Sequence, residues 1–399
     1  MRTPTVSRRA RSVPASPIRK LTPYADAARA RGISVLQLNI GQPDFPTPSA
    51  ILQAVHTFPR SVLAYAPSPG IPEARAAWTT YYQAQGLEAP EDEILVTIGG
   101  SEAIQFAIAS VADPGDNILV FEPTYTNYCG FAAGTSVELK PIPLDAGNGY
   151  ALPAMEVVAR AIDPRTRALL LCNPNNPTGS VYDASVMNDF IDLAERHGLF
   201  LIVDEVYREF VYDGRSYASV LALAPRSPHV IMVDSVSKRF NACGARVGCL
   251  TTANQEVFQG AMRLAQARLS APTVEQLAVI PLLVDPHPYT GPLVVDYQGR
   301  RDAVMRHLRD IPGSRYSEPQ GAFYMVVRLP IDDSEAFARW LLESFSDQGE
   351  TVFVAPMPGF YISGGKGQDE VRLAFVLEEA KLARAAELLR LGVERYGER

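Results

Sequence analysis

The sequence predicts an α/β protein: a doubly wound, mostly parallel sheet forming a large domain, with a smaller α+β domain beside it. Three observations carry this reading. Between about Val62 and Asp285, short apolar runs of strand length alternate with helical patterns. Several of those runs end in polar residues, as strands do where ligands meet an open α/β sheet. After Pro286-His287-Pro288 the alternation stops, and a helix around Arg301 to Arg309 is followed by strands at Ala322 to Val327, Thr351 to Val354 and Val371 to Phe375. The chain therefore divides into an arm (1–20), a large domain (62–285) and a small domain built from 21–61 and 286–399.

Arg8, Arg9, Arg11, Arg19 and Lys20 stand among Ser, Thr, Pro and Ala, so the first twenty residues read as a flexible arm. Ile94 to Thr97 is the first strand of the large domain. It runs through Gly99-Gly100-Ser101-Glu102 into a helix, whose first amides would face an anion with the helix dipole behind them. Ile118 to Phe121 is a second strand, with Tyr125 just past its end. Leu169 to Leu171 leads into Asn173-Pro174-Asn175-Asn176-Pro177-Thr178-Gly179, which places Asn176 at the same sheet edge. Met187, Phe190, Ile191 and Ala194 mark a helix face. Leu199 to Val203 delivers Asp204, with Tyr207 three residues on. Val230 to Val233 leads to Ser235, Ser237 and Lys238, and Arg246 precedes a last strand, Val247 to Thr251. In the small domain, Leu382, Ala386, Leu389 and Val393 line one face of the final helix.

The segment from Asp234 to Gly248 combines an amine, two hydroxyls and a guanidinium. An aldehyde cofactor carrying a phosphate needs all three kinds of group. Lys238 can condense with a carbonyl, while Ser235, Ser237 and Arg246 suit phosphate, because charge-assisted and bidentate bonds are the strong ones. Asp204 can pair with a protonated pyridine nitrogen and so keep a ring electron-poor. Taken alone, Asp204 reads more readily as a helix cap, a reading its neighbours outweigh. Tyr207 can reach a phenolic ring oxygen, and Tyr125 can stack on a planar ring.

These residues sit within ordered motifs: L-N-I-G-Q-P-D-F at 38–45, Y-A-P-S-P-G at 65–70, T-I-G-G-S-E-A at 97–103, N-N-P-T-G at 175–179, V-D-E-V-Y at 203–207, S-V-S-K at 235–238, G-A-R-V-G at 244–248 and E-V-R-L-A-F at 370–375. From about Ile18 to its end the chain resembles the class I and II pyridoxal-phosphate aminotransferases of fold type I, in their aspartate aminotransferase-like form. The resemblance implies that pyridoxal 5'-phosphate is the cofactor and Lys238 the Schiff-base lysine and proton shuttle. Asp204 would partner the ring nitrogen, Tyr207 and Asn176 the ring oxygen, and Tyr125 the ring face. Gly100, Ser101, Glu102, Ser235, Ser237 and Arg246 would cup the phosphate, with Tyr65 reaching it from a second subunit. Arg372 would clamp the substrate α-carboxylate, aided by Asn176 and the N–H of Gly41. A homodimer with shared sites follows from the same resemblance.

Two departures bear on the substrate. Ser101 stands where one branch of the family has a Lys that holds a dicarboxylate, and Gln266 stands where another has an Arg donated by the neighbouring subunit, with Arg268 two residues later. Arg268 is the candidate left for a distal acidic group. The implied activity is ping-pong transfer of an amino group between an L-amino acid and a 2-oxo acid, with an acidic donor as one option. Elimination, cyclisation or oxidation on the same fold is the alternative, and a non-catalytic sensor is a reading from another class.

Composition narrows the field further. The chain has 399 residues, of which 47% are hydrophobic and 20% charged, enough for two cores in a soluble protein. A formal net charge of −7 provides no basic footprint for nucleic acid. Cys129, Cys172, Cys243 and Cys249 lack C-x-x-C spacing and the five histidines are scattered, so neither a metal site nor a disulfide framework is expected. Arg8-Arg9 is followed by no apolar signal segment, and no run spans a membrane, which leaves the cytoplasm as the expected location.

Overall fold

The computed structural model of the protein describes residues 3–58 and 61–398. Among these, the strands in chain order are β1 (Ser34–Gln37), β2 (Ile94–Ile98), β3 (Asn117–Glu122), β4 (Glu138–Pro143), β5 (Thr166–Cys172), β6 (Phe200–Asp204), β7 (Val230–Ser235), β8 (Val247–Thr251), β9 (Arg315–Tyr316), β10 (Tyr324–Arg328), β11 (Glu350–Phe353), β12 (Ala355–Pro356) and β13 (Glu370–Ala374). Seven of them form the main sheet in the order β2-β8-β7-β6-β5-β3-β4, parallel except at β8, which runs antiparallel to both its neighbours.

Alternate residues of the central strands enter two different cores, which is what a strand's period of two requires when both faces are covered. Leu169, Leu171, Leu201, Val203 and Met232 pack with Met187 and Phe190 of the helix Ala184–His197 on one face. Leu170, Ile202, Ile231 and Val233 pack on the other with Ala103 and Ile104 of the helix Gly99–Val111 and Phe258 of the helix Gln255–Arg268. Both faces being apolar, the strand ends are where polar groups can collect. Cys172, Asp204 and Ser235 close β5, β6 and β7 at the same carboxyl edge.

The remaining strands form a four-stranded sheet, β12-β13-β10-β9, and a parallel pair, β1 with β11. The pairing of β1 with β11 returns the N-terminal segment to the C-terminal third. Besides the short strands β1, β9 and β12, three features differ from the sequence reading. The helix expected around Arg301 begins much earlier and spans His287–Leu308, since Pro288 falls in its first turn, where no amide bond is lost. β4, which carries Pro141 and Pro143, is not among the strands expected from sequence; it lies at the sheet edge, where a missing N–H costs little. The arm, finally, contains a short exposed helix, Arg8–Ser12, and is packed near its end: Pro17 sits so close to Gly359 that a Cβ there would lie 2.4 Å from its own, and Leu21, just past the arm, is buried.

Candidate functional site

A cleft of about 500 Å³ opens at the carboxyl edge of the main sheet, within the size range of sites that bury a small ligand. Gly41, Gly100, Ser101, Tyr125, Asn176, Asp204, Tyr207, Ser235, Ser237, Lys238, Arg246 and Arg372 all line it. Of the residues singled out from sequence, only Glu102, Tyr65 and Arg268 do not.

Lys238 lies in a single helical turn, Val236–Arg239, directly after β7. Its Nζ donates to the carbonyl of Gly41 at 2.8 Å and lies 3.7 Å from Cys243 Sγ. Gly41 also admits the Tyr324 ring, because a Cβ there would fall 1.7 Å from the Tyr324 hydroxyl. Asp204 is buried at the tip of β6. Its Oδ2 accepts from the Tyr128 hydroxyl at 2.7 Å, and its Oδ1 from the Val206 N–H at 3.2 Å. Burial outweighs both bonds and pushes the carboxyl up to about 6. A buried carboxylate facing a cavity is stabilised by any cation placed before it, which is what a protonated ring nitrogen would be.

At the other end of the cleft is an anion cradle. The helix Gly99–Val111 starts immediately after β2, so the first-turn amides at Gly100 and Ser101 open on the cleft. The Ser235 and Ser237 hydroxyls lie 2.8 Å apart. Arg246 has a left-handed backbone (φ 55°), and its guanidinium donates to the carbonyls of Cys243 and Ile98. Gly99 lies under that guanidinium, and a Cβ there would meet Arg246 Nη2 at 2.5 Å. The set of amides, hydroxyls and a guanidinium fits a phosphate, and Lys238 opposite Asp204 fits the aldehyde and ring nitrogen of a pyridoxal ring.

Arg372, on β13, is 2% exposed. Its Nη1 donates to Asn176 Oδ1 at 3.1 Å and its Nη2 to the Asn39 carbonyl at 2.6 Å, while its Nε has no partner among the described residues. No carboxylate faces it there either, and burial pulls its pKa down. A buried cation without a counter-charge is costly, so the arrangement is that of a waiting anion site. The ring of Tyr324 lies 4.5 Å from its Cζ, and the Tyr324 hydroxyl bonds to that of Tyr207 at 3.0 Å.

Of the three residues outside the cleft, Glu102 turns its side chain back to accept from the Ile98 N–H at 2.8 Å. Arg268 is held within the same chain, 3.5 Å from Glu102 Oε1 and donating to the carbonyls of Ser68 and Val96. The sequence reading missed that ion-pair partner, although Nε and Nη1 of Arg268 have no hydrogen-bond partner among the described residues. Tyr65 is 81% exposed. Sequence reasoning also missed Tyr128, Tyr324 and Asn39. The Y-T-N-Y spacing at 125–128 was the one usable signal: Tyr128 stands edge-on to Tyr125 at 5.3 Å.

The profile of the family described as "Aminotransferase class I and II" matches residues 33–389. The aspartate/prephenate aminotransferase of Thermus thermophilus is 31% identical over 391 residues, covering 96% of this chain and 97% of its own. The LL-diaminopimelate aminotransferase of Desulforudis audaxviator is 32% identical over 400 residues, covering 95% and 97%. Among solved structures, an alanine aminotransferase from Pyrococcus furiosus superposes with a TM-score of 0.89 at 29% identity, over 98% of this chain and all of that one.

Proposed function

The chain belongs to the class I and II aminotransferases and works with pyridoxal phosphate, and on that premise we propose that its amino donor is an acidic L-amino acid and its acceptor a 2-oxo acid. The relatives' names differ in substrate, so the donor is argued from the cleft. Arg19, Lys238, Arg246 and Arg372 line it, against Asp204 as the one carboxylate among the described residues. Such an excess of positive charge favours ligands carrying several negative groups.

The residue roles belong to the same proposal. When bound, pyridoxal phosphate supplies an aldehyde that takes up the donor's amino group and a ring that accepts the electron pair left when Cα loses its proton. Ser235, Ser237, Arg246 and the amides at Gly100 and Ser101 hold the phosphate. Asp204 faces the ring nitrogen as a carboxylate, oriented by Tyr128, and Tyr125 covers the ring face. Tyr207 and Asn176 reach the ring oxygen. Arg372, with Asn176 and the N–H of Gly41, orients the α-carboxylate so that the Cα proton meets the Lys238 amine. That amine removes the proton and later returns it one atom away. Positioning the donor and holding charge supply most of what such a site contributes.

The observation that carries this reading is the convergence of Lys238, Asp204 and an uncompensated Arg372 on one cleft. We also propose a cytoplasmic homodimer that divides as 62–285 against 21–61 with 286–399. Leu52, Val55, Val62, Leu63 and Tyr65 are exposed on one stretch of chain, which supports a second copy covering it. Incubation with one amino acid and no acceptor tests the reaction. Transamination yields about one 2-oxo acid per site and no ammonia, whereas released ammonia signals elimination or oxidation, and no product at all removes the activity.

A further inference from the structure

Three of the cleft's four cations have a task in that reaction. Lys238 serves the amino group, Arg246 the phosphate and Arg372 the α-carboxylate. The fourth, Arg19, has none, and its surroundings are built rather than incidental. It opens the turn Arg19–Leu21, which runs directly into the helix Thr22–Ala30. The backbone is held on both sides of it: its own N–H donates to Ser16 Oγ at 3.2 Å, Pro17 is seated on Gly359, and Leu21 is buried. The neighbouring cation, Lys20, is turned away and paired with Glu335 at 2.6 Å. Among the described residues, the Arg19 guanidinium makes no ion pair or hydrogen bond. It lies near enough to Tyr125 for its charge to act against the rise in that hydroxyl's pKa that burial causes.

The rival groups for a second acidic function are already used or neutral. Arg268 is held by Glu102 outside the cleft, and Ser101 and Gln42, which do line it, carry no charge. We propose that Arg19 is the specificity-determining residue that receives the distal carboxylate of a dicarboxylic amino donor or 2-oxo acid. This rests on the acidic-donor reading above. The planar fork of Arg19 matches a carboxylate bidentately. Lining the same cleft as Arg372, it can take the far end of the substrate while Arg372 fixes the near end.

The test uses the holoenzyme and its Arg19→Ala and Arg19→Lys variants, assayed with aspartate, glutamate and alanine as donors. Binding of maleate and of propionate is measured by calorimetry alongside. In the wild type, kcat/KM should favour the acidic donors over alanine. In Arg19→Ala that ratio should fall tenfold or more, with a comparable loss of maleate affinity relative to propionate, and Arg19→Lys should recover part of both. Arg268→Ala should not change the ratio. If Arg19→Ala lowers acidic and neutral donors alike, or leaves the ratio intact, the assignment is overturned. It is equally overturned if Arg268→Ala alone abolishes the preference. A wild type that turns over alanine as readily as aspartate and glutamate would defeat the acidic-donor reading itself, before any variant is compared.

Discussion

The Tyr128 hydroxyl donates to Oδ2 of Asp204 at 2.7 Å, and both groups are buried. Tyr128 thus orients the carboxylate proposed to face the ring nitrogen. Tyr128→Phe removes a bond to the charged form, so the carboxyl should rise above its present value of about 6. A lost bond to a buried charge costs roughly 1.5–3 kcal/mol. Proton removal from the donor's Cα should slow about ten- to a hundredfold, with the fold retained. Single-turnover rates that match the wild type would show that Tyr128 packs and does no more.

Asp204 also predicts a pH dependence for the cofactor-free protein. Its carboxyl is raised from the ordinary value of 3.8 to about 6 by burial. A raised carboxyl stabilises the fold in its protonated form. That contribution is complete below about pH 3.8 and is lost as the pH climbs through about 6. The loss is about 3 kcal/mol at most, the free energy that separates a carboxyl titrating near 6 from one titrating at 3.8. Urea denaturation of wild type and Asp204→Asn from about pH 4 to about pH 7.5 should show the wild type losing ground to the variant over that window. The opposite trend would mean that Asp204 is ionised at little cost.

Lys238→Ala should abolish turnover while Ser235, Ser237 and Arg246 still retain the cofactor. In the wild type, borohydride should fix the cofactor's aldehyde carbon to Nζ of Lys238. Peptide mapping decides it, and a label on any other lysine rules the assignment out.

Gly41→Ala should be far more damaging than its small volume suggests. The added Cβ would fall 1.7 Å from the Tyr324 hydroxyl, so either Tyr324 leaves its bond with Tyr207 or the loop bearing the Lys238 acceptor moves. Overpacking of this sort costs about 1–3 kcal/mol. Melting temperature and kcat should fall together. An unchanged kcat would show that the loop shifts without disturbing the site.

Arg372→Lys should impair every amino donor, acidic or neutral. A lysine cannot give two parallel bonds to a carboxylate, nor hold Asn176 and the Asn39 carbonyl together as the guanidinium does. The expected loss in kcat/KM is about 2–5 kcal/mol. A loss confined to acidic donors would move Arg372 to the far end of the substrate.

The parts of the fold that were legible in the sequence are those decided locally. β5, β6 and β7 are short apolar runs, and Asp204 and Ser235 are readable because each stands where such a run turns polar. The glycines before Ser101 announced a helix start for the same reason. What escaped depends on distant partners. Nothing near Arg268 reveals that Glu102, on another helix, will take its charge. Tyr324 looks like any apolar-strand aromatic until β10 brings its hydroxyl to Tyr207. Arg19 looked like one charge in a solvated arm, because only the seating of Pro17 on Gly359 turns that arm over the cleft.

The bond from Arg372 to Asn39 joins residues 333 positions apart, whereas Asp204, Lys238 and Arg246 lie within one continuous stretch of chain. During synthesis the two halves of the site therefore come into being at different times. Once Arg246 has left the ribosome, the groups proposed to hold cofactor within one chain exist; the proposed carboxylate clamp waits for β13. Ribosome-bound chains of increasing length should accept a borohydride label on Lys238 well before they bind a dicarboxylate, and simultaneous onset would show that the first half cannot form without the second. The newborn enzyme would be loaded before it could recognise anything to act on.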